Sequence, residues 1–147
     1  MTQLPPDFKE FLRLLNSKEV EYLIVGGYAV GYYGFPRATG DIDIWIAISA
    51  TNAEKTVNAL KEFGFLVPGL STELFLEPDR IVRMGMPPFR IEILTSISGV
   101  EFNECYLKRT NAVLDTVPVS LIDIDNLKLN KQASGRPKDL NDLLNLS

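Results

Sequence analysis

The segment DIDIWIAI, residues 41–48, constrains the fold more than any other part of the chain. Isoleucine recurs at every second position, and a period of two is typical of a strand with one buried face. Four isoleucines are predicted to face the core: Ile42, Ile44, Ile46 and Ile48. Asp41 and Asp43 then share the other face, about 7 Å apart along the strand. Because a buried, unpaired charge is costly, these carboxylates need a cation, a basic side chain or water.

Length and composition predict one domain spanning residues 1–147, with a C-terminal helical element at 123–147. The chain is 46% hydrophobic and 23% charged, as in ordinary globular proteins, and no apolar run approaches the roughly 20 residues of a membrane span. We therefore expect no membrane association, and the single cysteine suits the cytoplasm. A net charge of −4 argues against broad nucleic-acid binding. Histidine is absent, so carboxylates, lysine, arginine or a hard metal ion must carry any catalysis.

Helical and strand patterns interleave along the chain. Asp7 and Glu10 have the spacing of a capping box at the start of a first amphipathic helix, and Gly64 is predicted to end another helix. The remaining helices are predicted within residues 28–34, 101–111 and 123–147, the last interrupted at 134–137. Strands are predicted within 21–27, 41–48, 72–78, 80–85, 89–96 and 113–122, and Pro118 is expected to keep the last of these near an edge of the sheet. Because several strands follow one another directly, we expect an α/β (α+β) fold with a small mixed sheet flanked by helices.

A third carboxylate is predicted to join the first two. In FRIEIL, residues 89–94, alternation turns Ile91 and Ile93 inward and Glu92 outward. If this strand neighbours DIDIWIAI, three carboxylates converge and repel one another unless a cation lies among them. One or two Mg²⁺ ions fit such oxygen ligands, with Mn²⁺ as an alternative. The other interpretation is that the aspartates lie on the wet face of the sheet.

The context of the aspartates favours the metal interpretation. Gly26 and Gly27 stand at a predicted strand-to-helix junction, where backbone N–H groups can hold phosphates. Arg37 and Thr39 lie in the loop just before Asp41. Each feature is weak alone, but their order is more specific than any one of them.

Gly26-Gly27 followed by RATGDID, residues 37–43, resembles the DNA polymerase β-like nucleotidyltransferase superfamily. The stretch is most similar to the minimal branch that includes AbiEii-type and MenT-type toxins of bacterial toxin–antitoxin systems. NKQASGRPKDLNDL, residues 130–143, resembles that branch's conserved lysine and G-R-x-K-D element. The resemblance implies the nucleotidyltransferase fold and touches both ends of the chain.

Residue by residue, the resemblance implies a nucleotide site. Gly26 and Gly27 would cradle phosphates, with Arg37 and Thr39 in support. Three residues would be catalytic metal ligands, the last of them also a candidate base: Asp41, Asp43 and Glu92. Three cations would bind the triphosphate or substrate, with Asp139 orienting one of them: Lys131, Arg136 and Lys138. As an alternative, these cations form a solvated helical face, and Pro137 with Asp139 marks only a helix start.

The implied function is Mg²⁺-dependent transfer of an NMP from an NTP to an acceptor hydroxyl, with release of pyrophosphate. The acceptor would be RNA such as tRNA, a protein or a small molecule. Because little chain remains for an acceptor-binding domain, we expect a homo-oligomer or an antitoxin-like partner. Tyr28 replaces a common serine and Arg90 shares a predicted face with Glu92, so a nucleotide- or partner-binding module without turnover is the alternative. Metal-dependent phosphate hydrolysis is a third candidate.

Overall fold

The computed structural model describes residues 3–34 and 40–146. Within them the helices are α1 Pro6–Ser17, α2 Gly26–Tyr33, α3 Ala50–Phe63, α4 Phe102–Leu107, α5 Ile124–Ser134 and α6 Pro137–Asn145. The strands are β1 Tyr22–Val25, β2 Ile42–Ile46, β3 Ile81–Met86, β4 Phe89–Leu94, β5 Thr110–Leu114 and β6 Val117–Leu121. The helices of this part of the chain include none that is long and apolar enough to cross a membrane.

The strands form one mixed sheet in the order β3-β4-β2-β1-β6-β5. β2 runs parallel to β4 and antiparallel to β1, while β3–β4 and β5–β6 are antiparallel hairpin pairs. β1 and β6 are parallel and pair at Ile24 and Leu121. This arrangement confirms the predicted mixed sheet flanked by helices.

The periodic patterns identify the core correctly, with one exception. The apolar face of α1 is buried, as are both predicted inward positions of β4, Ile91 and Ile93. Three of the four isoleucines predicted on the inner face of β2 are fully buried: Ile42, Ile44 and Ile46. Ile48 is 42% exposed because β2 ends at Ile46 and the chain turns toward α3. The prediction for Ile48 is therefore wrong.

Three local predictions are also wrong. Residues 113–122 are predicted as one extended segment, but a turn at Asp115 and Thr116 divides them between β5 and β6. Helix α1 begins after Pro5 without a side-chain cap, so Asp7 lies in its first turn rather than forming a capping box with Glu10. TELFLEP contains a 3₁₀ turn, Thr72–Phe75, instead of a strand, and its buried Phe75 anchors the turn in the core. A short segment with one buried aromatic residue does not need a sheet partner.

Helix ends follow the predicted turn chemistry. Gly64 ends α3 and Gly135 ends α5, both with positive φ (99° and 66°), a region that glycine enters without steric cost. Pro137 then occupies the first turn of α6. The reversal at Gly135 packs α6 against α5, and residues of both helices line the same cleft as the predicted carboxylates.

Candidate active site

The register of β2 and β4 places two of the predicted carboxylates side by side. Asp43 is paired with Glu92 across the parallel strands, and with Val25 on the other side. Because the inward residues of both strands are isoleucines, the two carboxylates share the face opposite the core. The prediction that these two strands are neighbours is therefore confirmed.

Gly26 is fitted closely to Asp43. It follows β1 directly, has a φ of +68° and opens helix α2. A Cβ atom built on Gly26 would lie 2.1 Å from Oδ2 of Asp43. Any side chain at this position would have to displace the carboxylate, so the glycine is required both by its backbone conformation and by the close approach.

The electrostatics of Asp43 show an incompletely compensated negative charge. Burial raises the pKa of Asp43 to about 7, together with a hydrogen bond to Glu92 and the charges of Glu92 and Asp41. The positive charge of Lys131 acts in the opposite direction. A buried carboxylate crowded by other carboxylates is typical of a place where a cation would bind.

Two arginines pair with the neighbouring carboxylates. Arg90 donates to Asp41 from its backbone N (3.3 Å), Nε (3.4 Å) and Nη2 (3.0 Å). Arg83, on the edge strand β3, donates from Nε to Oε1 of Glu92 at 3.2 Å. The hydrogen bonds of the Arg90 side chain thus go to Asp41, and Glu92 is paired with Arg83. The hairpin register pairs Arg83 with Glu92, whereas Arg90 lies opposite Gly85 and reaches Asp41 instead.

A buried ionic cluster lies between α5 and α6. Nζ of Lys131 lies 2.9 Å from Oδ1 of Asp139 and 3.4 Å from Oδ2 of Asp142, and all three residues are at most 5% exposed. Nε of Arg136 donates to Oδ2 of Asp139 at 2.7 Å, and the Ser134 hydroxyl donates to the same oxygen. Although burial opposes it, hydrogen bonds from Ser134, Lys131 and Arg136 hold the pKa of Asp139 well below its usual range. Lys131 is thus not part of a solvated face.

A cleft of about 640 Å³ brings these groups together. Nine of the predicted site residues line it: Gly26, Gly27, Asp41, Asp43, Glu92, Lys131, Arg136, Lys138 and Asp139. Arg37 and Thr39 lie outside the described residues. The apolar side chains of Ile81, Leu94 and Ile97 also line the cleft. The roles assigned to the individual residues stay predictions.

The three carboxylates do not form a complete protein cage. Among residues 3–34 and 40–146, no group of three or more acidic, cysteine or histidine side chains is arranged to hold a metal ion. Asp43 and Glu92 are adjacent, while Asp41 is paired with Arg90. Mg²⁺ is commonly held by one or two carboxylates plus substrate phosphates, so the Asp43–Glu92 pair fits an ion that enters with a nucleotide.

Sequence reasoning missed two charged residues: Arg83, which lines the cleft, and Asp142, which is buried beside Lys131. Arg83 could have been found from the hairpin, because Met86 and Phe89 flank its turn and this register sets Arg83 across from Glu92. Asp142 follows Asp139 by one helical turn, a spacing that places both carboxylates on the same side of α6. No short sequence pattern predicts that Asp139 and Asp142 are buried together around Lys131.

Solved structures show the same architecture. The chain aligns with a proposed nucleotidyltransferase from Thermotoga maritima at a TM-score of 0.64 and 13% identity, covering 97% of this chain and 93% of the other. The chain has a nucleotidyltransferase fold. The alignment with ANT(2″)-Ia in complex with adenylyl-2″-tobramycin has a TM-score of 0.60 and 12% identity, and covers 95% of this chain and 84% of the other. The alignment with an antigenic nucleotidyltransferase-like protein from Paracoccidioides brasiliensis has a TM-score of 0.56 and 18% identity, and covers 95% of this chain and 73% of the other. No family model and no curated protein matches the sequence of this nucleotidyltransferase-fold chain.

Proposed function

We propose that this chain is a Mg²⁺-dependent nucleotidyltransferase that moves an NMP from an NTP to an acceptor hydroxyl. The observation that carries the proposal is the Asp43–Glu92 pair, set in register on β2 and β4 and flanked by Gly26 in one cleft. Fold likeness alone would be an analogy, since one fold hosts many functions. The carboxylate pair supplies the chemical reason.

The triphosphate would lie in the cleft between the start of α2 and the cations of α5 and α6. Gly26 and Gly27 form the start of α2, where unpaired backbone N–H groups and the helix dipole favour an anion. Three cations face the same cleft: Lys131 from α5, Arg136 from the N-cap of α6 and Lys138 from the first turn of α6. The Arg136 side chain is 73% exposed, so its guanidinium can turn from Asp139 to a phosphate while Lys131 and Ser134 stay on that carboxylate.

Asp43 and Glu92 would hold the metal, with Asp41 contributing after release from Arg90. The bound metal would lower the negative charge on the α-phosphate and favour the deprotonated acceptor oxygen. Glu92 would accept the proton of that hydroxyl. The acceptor oxygen forms a new bond to the α-phosphorus as the bond to pyrophosphate breaks, and the carboxylates and cations orient the reactants.

The fold likeness supports a nucleotidyl group as the transferred unit, because ANT(2″)-Ia is described with an adenylylated small molecule. For this chain, the resemblance of residues 26–43 and 130–143 to toxin nucleotidyltransferases favours a macromolecular acceptor, tRNA or another RNA or a protein. It also favours an antitoxin-like partner or a homo-oligomer, and a cytoplasmic location where NTPs and Mg²⁺ are abundant. These assignments rest on the resemblance.

Label transfer tests the proposal. Purified protein is mixed with each α-labelled NTP, Mg²⁺ and a cell lysate, beside Asp43→Asn and the matched variant Asp7→Asn, which changes an exposed aspartate of α1. Label in RNA or protein with wild type and Asp7→Asn, but not with Asp43→Asn, supports transfer and names the nucleotide. Free labelled NMP without labelled acceptor would indicate hydrolysis instead.

A second candidate is a nucleotide-binding or partner-binding module without turnover. The ion pairs Arg90–Asp41 and Arg83–Glu92 favour it, because both arginines neutralise carboxylates that catalysis would use. This candidate predicts nucleotide binding without pyrophosphate release. Sustained pyrophosphate release that Asp43→Asn abolishes would exclude it.

A further inference from the structure

Arg83 is a charged residue of the cleft that has no role in the proposed transfer mechanism. It lies on the edge strand β3 directly across from Glu92, and both side chains face the cleft. The Arg83 side chain is 55% exposed, whereas that of Glu92 is 16% exposed. The arginine therefore covers a largely buried carboxylate from the solvent side.

The charges on this face are arranged in one row across the sheet. Gly26 follows β1, Asp43 lies on β2, Glu92 on β4 and Arg83 on β3, with neighbouring strands about 4.8 Å apart. Asp43 and Glu92 thus have Arg83 on one flank and the glycine backbone on the other. Arg83 is the cation that balances Glu92 within this row.

We propose that Arg83 is the resident counter-ion of the metal site, holding Glu92 in the ligand-free protein and leaving it when a divalent cation binds. The inference rests on the proposed function, because it takes Glu92 to be a metal ligand. The same carboxylate oxygen cannot keep its Nε contact and coordinate an ion at full strength, so Arg83 and the metal compete. The guanidinium reaches Glu92 through Nε, and its position at the sheet edge lets it swing into solvent without disturbing the core.

This competition has a consequence for the order of binding. Metal alone must displace Arg83 and also tolerate its positive charge nearby, so wild-type protein should bind it weakly. A nucleotide brings phosphate oxygens that complete the coordination and add negative charge. Arg83 would therefore limit occupation of the site by metal in the absence of nucleotide.

Binding of Mn²⁺ to the nucleotide-free protein tests this inference, with free Mn²⁺ measured by electron paramagnetic resonance. Arg83→Gln should bind Mn²⁺ about three- to tenfold more tightly than wild type, since it removes both a pairing contact and a repelling charge. Arg80→Gln is the matched control, because Arg80 is equally exposed (54%) but pairs with Glu77. It should stay within about twofold of wild type.

Two further variants test whether the effect depends on the positive charge at position 83 and on the Glu92 carboxylate. Arg83→Lys keeps the charge and should bind Mn²⁺ as weakly as wild type. Adding Glu92→Gln to Arg83→Gln should abolish the gain, because the competition acts through that carboxylate. Circular dichroism checks that each variant keeps its fold.

The outcomes distinguish this inference from the proposed function, since the assay needs neither acceptor nor turnover. Tighter Mn²⁺ binding by Arg83→Gln supports the inference even if wild type transfers no label. Equal or weaker binding by Arg83→Gln overturns it even if transfer is observed. Absence of measurable Mn²⁺ binding by both proteins also overturns it, because a counter-ion role requires a metal site.

Discussion

Gly26 and Asp43 approach each other so closely that a Cβ atom on the glycine would lie 2.1 Å from Oδ2 of the aspartate. This close approach links the end of β1 to the start of β2, at the point where the chain enters α2. The glycine backbone thereby limits the orientations open to the carboxylate. A phosphate group on that backbone and a metal on that carboxylate would be neighbours.

We expect Gly26→Ala to lower the free energy of unfolding by at least about 2 kcal/mol, from the positive φ and the displaced carboxylate together. Gly135→Ala is a control with nearly the same φ (66° against 68°), but its Cβ would meet nothing within 4 Å. That variant should lose only about 1 kcal/mol. Urea unfolding measures both, and equal losses would show that the Asp43 contact costs nothing.

The pKa of Asp43 predicts an unusual dependence of stability on pH. Its folded value, about 7, lies above the ordinary 3.8, so the folded state binds the proton more tightly than the unfolded state. Ligand-free protein should therefore lose stability as the pH rises from about 4 to 7, with the loss complete above the folded pKa. Asp43→Asn lacks this penalty and should be more stable than wild type at pH 8, by on the order of 1 to 3 kcal/mol.

Urea unfolding of wild type and Asp43→Asn at pH 5 and pH 8 checks this expectation. The advantage of the variant should be smaller at pH 5, where wild-type Asp43 is largely protonated. A constant difference at both pH values would contradict the assigned titration. Mg²⁺ with an NTP should raise the stability of wild type at pH 8 and leave the variant nearly unchanged, because ligand binding stabilises only a state that binds it.

Much of the site could be predicted because it is built on local periodicity. Alternation alone turned Asp43 and Glu92 to one face, and the adjacency of β2 and β4 then set them in register. The ion-pair partners of the arginines, which are distant in the sequence, could not be predicted from this periodicity. Whether Arg90 meets Glu92 or Asp41 depends on the register of the β3–β4 hairpin and on which strand flanks β4, and neither is a property of a short segment.

The fold shows the same division between local and distant information. Gly64 and Gly135 end helices because a left-handed residue is needed there, a requirement visible in the sequence. Asn52 was not anticipated. Its buried side chain accepts from the backbone N of Glu21 at 2.7 Å and donates to the carbonyls of Glu21 and Ala47, which fastens α3 to β1 and the end of β2. Such polar bridges depend on packing that only the assembled sheet creates.

The buried cluster around Lys131 gives a prediction about stability as well as function. Lys131→Met would leave Asp139 and Asp142 buried without their shared cation. We expect a loss of about 3–5 kcal/mol in the free energy of unfolding, since the shared cation is the buried partner of both carboxylates. Lys128→Met changes a lysine one turn earlier on α5 and should stay within about 0.5 kcal/mol of wild type.

A double variant keeps this prediction testable if Lys131→Met is too unstable to purify. Adding Asp142→Asn removes one of the two negative charges and should recover part of the lost stability in urea unfolding. If the double variant is no more stable than Lys131→Met, Lys131 stabilises the fold through the packing of its aliphatic stem and not through charge balance. Because the lysine also faces the cleft, the double variant should still bind an NTP more weakly than wild type, which separates its role in the fold from its role toward the phosphates.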